Sequence, residues 1–93
     1  FDLAEGDVFA GCFLATVGAN PLTGKRVCAE IFLWVSPRFR GHGKQLLTYV
    51  ESWAAAQSCD GVALSRPESA DRAGRTFEAW GYRPTERWYR KTL

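Results

Sequence analysis

Ninety-three residues, 46% apolar and 24% charged, are expected to form one compact domain over 1–93, which excludes a disordered chain and a second domain in this span. The net charge of +2, from 12 Lys+Arg against 10 Asp+Glu, is too mild to mark a nucleic-acid binder. The longest uncharged stretch, 8–24, is interrupted by Gly11, Gly18 and Pro21 and is too short for a membrane span.

Three cysteines (Cys12, Cys28 and Cys59) are odd in number and lack a CxxC pair, so neither a disulfide framework nor a zinc site fits. With one histidine, no metal site is expected. No basic-then-apolar signal sequence opens the chain, and a cytoplasmic setting is the expectation. Charge is unevenly spread. Residues 1–30 hold four acids against two bases, and residues 61–93 hold seven bases against four acids. The two ends either attract one another or the second half faces an anionic ligand.

In chain order, 1–5 reads as a short strand closed by a turn at Gly6-Asp7. Val8–Val17 is rich in β-branched and aromatic residues and reads as a second strand. Asn20-Pro21-Leu22-Thr23-Gly24 is a turn. Val27–Val35 (VCAEIFLWV) is a third strand, apolar enough to suggest that both of its faces are covered. Ser36-Pro37 ends it, and a basic glycine-bearing turn follows. From Lys44 to Ser58 the residues Leu46, Leu47, Val50, Trp53 and Ala54 lie on one face of an amphipathic helix.

Val62–Leu64 is a short strand. Ser65 and Glu68 have the spacing of a capping box for a second helix, on which Ala70, Ala73, Phe77 and Trp80 share a face ahead of Gly81. A final strand is expected beyond Pro84. The pattern is an α/β (α+β) fold with one mixed sheet, largely antiparallel, flanked by two main helices. Cys12, Cys28, Trp53 and Trp80 are read as core. Trp88 and Tyr89 line an acceptor pocket or cap the core.

The strongest chemical signal is the junction from Val35 to Lys44. An apolar strand runs through Arg38-Phe39-Arg40-Gly41-His42-Gly43-Lys44 into a helix. A helix N-terminus has unpaired N–H groups and about half a positive charge. Gly41 and Gly43 would let an anion approach the backbone, and Arg38, Arg40 and Lys44 add full charges. This is a phosphate or pyrophosphate site, or else a basic turn with two glycines. Neither the P-loop nor the dinucleotide glycine pattern is present. His42 is read as a loop residue beside the phosphates. Glu30 is the only acid between Asp7 and Glu51. A lone carboxylate in an apolar strand is costly to bury without a partner, so it either points to solvent, pairs with an arginine such as Arg26, or serves as a general base.

Arg38-x-x-Gly41-x-Gly43, preceded by Leu33-Trp34-Val35-Ser36-Pro37 and followed by Leu46-Leu47, resembles the pyrophosphate loop of the GNAT superfamily of N-acetyltransferases. Arg72 through Tyr82, with Ala73, Glu78 and Gly81, is similar to that family's second motif. The resemblance implies a GNAT-like fold that binds acetyl-CoA as co-substrate. Backbone amides of Phe39, Arg40, Gly41, His42, Gly43 and Lys44 would bind the pyrophosphate. The strand edge at Leu33, Trp34 and Val35 would pair with the pantetheine arm and aim one N–H at the thioester carbonyl. Ala29-Glu30-Ile31 resembles the context of the family's glutamate base.

It further implies transfer of an acetyl group to a primary amine: a protein lysine, a protein N-terminus or a small amine. Two departures matter. Phe77 stands where the family usually places the tyrosine acid, so Tyr82, Tyr89, Ser69 or water would have to replace it. The family's opening strand and two helices are not recognisable here. The alternative is therefore a catalytically weak or inactive acyl-CoA-binding module, or an interaction domain that forms a homodimer. Neither a membrane nor a nucleic-acid partner is expected.

Overall fold

The computed structural model describes residues 1–67, 69–85 and 89–93. Strand β1 (Asp2–Glu5), β2 (Val8–Ala19), β3 (Arg26–Val35) and β4 (Gly61–Ala63) form one sheet in the order β1-β2-β3-β4. The first three are antiparallel, and β4 joins β3 in parallel. Two helices follow the antiparallel part, α1 (Gly43–Ala56) and α2 (Asp71–Ala79), so the mixed, largely antiparallel architecture is as expected from the sequence.

The turns form where the sequence supplies the right chemistry. Gly6 and Gly24 adopt φ of 62° and 73°, conformations that glycine reaches without steric cost. Between β2 and β3, the Asn20 side chain accepts from the Leu22 N–H at 2.8 Å, and its carbonyl accepts from the Gly24 N–H at 2.7 Å. The parallel register of β4 is fixed by Asp60, whose carboxylate accepts from the Arg26 N–H at 2.9 Å while its own N–H donates to the Arg26 carbonyl at 2.7 Å.

The core lies between the sheet and α1. Ala10, Phe13 and Cys28 from the strands meet Leu46, Leu47, Val50 and Ala54, the stripe expected from helical spacing. Trp80 and Tyr82, just past α2, pack against the same core. Trp53 is a correction: it is 36% exposed and meets the edge of the Phe1 ring rather than the interior. Cys12 is a second. It is half-buried and pairs across the strands with Trp34, on the face away from α1.

Three further expectations are corrected. The strand β3 is not covered on both faces, because Phe32 and Trp34 project from the face opposite α1 and are 51% and 39% exposed. Ser65 does not cap α2. The helix starts at Asp71 after a turn in which the Ala70 N–H donates to the Pro67 carbonyl, and Ala70 at its N-cap offers no side chain to the helix. The other half of that box, Glu68, lies outside the described residues. The expected last strand does not form among 82–85 and 89–93. Arg83, Tyr89, Arg90 and Lys91 are exposed there, and Glu86, Arg87 and Trp88, which the expected strand includes, lie outside the described residues.

Candidate active site

The sheet has an internal fork. Strand β4 pairs with β3 only through Val27, Cys28 and Ala29. Beyond Ala29, no strand among the described residues lies beside this edge of β3, because β4 ends at Ala63; the fork is this end of the pairing. Glu30 is the first residue past the paired stretch.

Its side chain is placed by a β-bulge. Across β2, Glu30 pairs with Ala15 and Phe32 with Leu14, so Ile31 is an extra residue in β3. The insertion keeps Glu30, Leu33 and Val35 on the helix-covered face while Phe32 and Trp34 point away. Glu30 is half-buried. One of its oxygens accepts a hydrogen bond from the Ser65 hydroxyl, just beyond β4, at 3.2 Å. Arg26, the other partner considered for it, makes no ion pair with Glu30 among the described residues; its N–H is bonded to Asp60.

The segment after β3 is not an open glycine turn. It winds as a 3-10 helix over Pro37–His42, broken at Phe39 (φ −116°, ψ 23°), and passes directly into α1. Pro37 at its start suits a first helical position. Arg40 turns back, its Nε donating to the Val35 carbonyl at 3.0 Å, which holds a cation at the end of β3. The Arg38 guanidinium lies 5.5 Å over the Phe39 ring, and the Phe39 and His42 rings meet edge to face at 5.9 Å. Lys44 is exposed on the first turn of α1. No side chain caps that N-terminus, since His42 at the N-cap makes no such bond.

The two glycines of the loop do different things. A Cβ on Gly43 would lie 3.2 Å from the Trp80 ring, so this glycine serves packing between α1 and the end of α2. A Cβ on Gly41 would meet nothing within 4 Å. Among the described residues the space above Gly41 is thus open, as close approach of a ligand to the backbone requires.

Of the sequence-predicted site residues, Arg38, Phe39, Arg40, Gly41, His42, Gly43 and Lys44 lie together in the 3-10 turn and the first turn of α1, just past the end of β3. Glu30 sits at the apex of the fork, with Leu33, Trp34 and Val35 between. The side chains of Leu33 and Val35 pack on the core and Trp34 stacks on Phe9 at 6.0 Å on the other face, so these three have only backbone to offer at the edge. Sequence reasoning missed the contact of Ser65 with Glu30, because its spacing to Glu68 pointed to a helix cap.

Phe77 meets the rings of Trp80 and Tyr82 at 6.2 and 6.5 Å. Tyr82 donates its hydroxyl to Glu51 on α1. Burial, and then that bond, push its pKa well above the ordinary tyrosine value, so it is a poor proton donor. Burial likewise pushes the Cys28 thiol up, which makes it a core residue rather than a nucleophile. Among the described residues, no group of three or more His, Cys, Asp or Glu side chains could hold a metal ion, and no helix is long and apolar enough to cross a membrane.

The mixed four-stranded sheet with its two helices has the fold of the GNAT-like acetyltransferases. A sequence model of the acetyltransferase (GNAT) family matches residues 3–82, and the chain belongs to that family. No curated protein sequence matches it. Solved structures do.

A ribosomal-protein-alanine N-acetyltransferase from Brucella melitensis biovar Abortus is 18% identical with a TM-score of 0.81, over 99% of this chain and 68% of that one. An integron cassette protein from the mobile metagenome of V. cholerae is 20% identical with a TM-score of 0.83, over 99% and 59%. AAC(6')-Iy, solved with the bisubstrate analogue CoA-S-monomethyl-acetylneamine, is 26% identical with a TM-score of 0.79, over 97% and 66%. The chain thus spans 59–68% of the length of these structures.

Proposed function

We propose that this chain is the acetyl-CoA-binding, acetyl-transferring core of an N-acetyltransferase acting on a primary amine. The observation that carries the reading is the fork, with Glu30 at its apex and the uncapped N-terminus of α1 at its mouth. The backbone amides at the start of α1, with Arg38, Arg40 and Lys44, suit the phosphates of coenzyme A. The free edge of β3 suits an extended amide-bearing arm, which would pair with it as a further strand does. An N–H on that edge suits the thioester oxygen, where negative charge develops.

Glu30 takes a proton from the acceptor ammonium, directly or through one water. The amine nitrogen then bonds to the acyl carbon, the carbon–sulfur bond breaks with its electron pair leaving on the thiolate, and the second proton lost from the nitrogen passes to that thiolate through water, giving the amide and the free thiol. The acceptor is a protein lysine, a protein N-terminus or a small amine.

One observation favours a second reading, an acyl-CoA-binding module without turnover. Phe77 has no proton to donate, and Tyr82 is committed to Glu51. Thiol release separates the two. With acetyl-CoA and a panel of amines (spermidine, poly-L-lysine and an N-terminal alanine peptide), the enzyme reading predicts accumulation of free thiol. It also predicts a fall of about 10²- to 10⁴-fold in Glu30→Gln with acetyl-CoA binding retained. Binding without thiol release from any acceptor would favour the module.

A further inference from the structure

We infer that Ser65 is a positioning residue for Glu30, an inference that rests on Glu30 being the proton acceptor. Pairing between β3 and β4 stops at Ala29 opposite Ala63, and two residues later the Ser65 hydroxyl reaches back across the opening to Glu30 at 3.2 Å. This hydroxyl has no duty at α2, whose N-cap is Ala70 and which starts six residues later. It therefore ties β3 to the segment after β4 just where their pairing ends.

The chemistry of the tie suits a base. A serine hydroxyl has one proton to donate. Given to Oε2, it fixes the orientation of the carboxylate and leaves Oε1 to face an incoming ammonium. An arginine in the same place would oppose the proton with a full charge. The neighbouring cation, Arg66, lies 3.7 Å from Asp71 instead. A glutamate has three side-chain torsions, and holding them in one arrangement before the amine arrives contributes to rate through orientation rather than through binding.

The test is a cycle of Ser65→Ala, Ser65→Thr, Glu30→Gln and the double variant Ser65→Ala/Glu30→Gln, read by thiol release with spermidine and poly-L-lysine. Ser65→Ala is expected to lower kcat about tenfold, the effect of one lost hydrogen bond to a charged group, with KM for acetyl-CoA unchanged. Ser65→Thr should restore most of the rate, and Ser65→Ala should cost nothing further once Glu30 is glutamine. An equal loss in both backgrounds, a change confined to KM, or no loss at all overturns the inference while leaving Glu30 as base. A wild-type rate in Glu30→Gln removes the base reading, and this inference with it.

The contact is also read without turnover, by carbon-detected NMR of the Glu30 side chain in the full chain. Ser65→Ala should shift the carboxyl resonance and spread the side chain over several rotamers. An unmoved resonance overturns the inference whatever the activity.

Discussion

At the scale of single residues, no polar or charged side chain among the described residues is fully buried. Among the described residues no buried side-chain nitrogen or oxygen lacks a partner. Tyr82 shows how such a group ties elements together: its hydroxyl on Glu51 links the segment after α2 to α1. Its pKa is raised in the folded state, so the protonated form is the one the fold favours. That stabilisation is complete below the ordinary tyrosine value near 10 and is lost as pH rises above it, where the unfolded chain ionises first. Tyr82→Phe should cost about 1 kcal/mol at pH 8, the worth of one partly exposed hydrogen bond to a charged acceptor. It should also flatten the loss of stability between pH 9 and 11, measured by urea unfolding at each pH. The wild-type slope in the variant would contradict the assignment.

At the scale of elements, the site depends on how closely β2 and β3 approach. Gly11 sits opposite Val35, and a Cβ built there would lie 2.5 Å from the Trp34 carbonyl oxygen and 3.0 Å from the Val35 Cα. Both neighbours are backbone and cannot turn aside. Gly11→Ala should therefore destabilise by about 1–3 kcal/mol, in the range of other overpacked sites, and should weaken the end of β3 that leads into the loop. Chemical denaturation checks this, and unchanged stability would show that the hairpin is looser than described.

The elements themselves were legible: β-branched runs and turn glycines gave the hairpin, and the 3.6 period gave α1. The bulge at Ile31 was not, because a run of alternating and apolar residues carries no mark of where one residue slips out of register. Nor was the role of Ser65. Its spacing to Glu68 matched a cap, but Pro67 and the turn to Ala70 delay the helix, and the hydroxyl bonds to Glu30 across the fork instead.

At the scale of the whole molecule, the core formed by the described residues lies on one side of the sheet. Phe9, Leu14, Phe32 and Trp34 project from the other and are each 39–56% exposed. The sequence misled here because an apolar strand reads the same whether its second face is covered within this chain or not. The loop and the base candidate were legible for a different reason. Two glycines among cations at a strand-to-helix junction, and one carboxylate in an apolar strand, are exceptions to local rules, and exceptions of that kind gather at functional sites.

The central claim is that the mouth of the fork takes the phosphates of coenzyme A. It is tested most directly by calorimetric titration of acetyl-CoA into the wild-type chain and into Gly41→Glu. The space over Gly41 is open, so the variant should fold as the wild type does while placing a negative charge where the phosphates would bind. The account predicts micromolar binding by the wild type and its loss in the variant. No binding by the wild type at millimolar acetyl-CoA, or equal binding by both proteins, would contradict it.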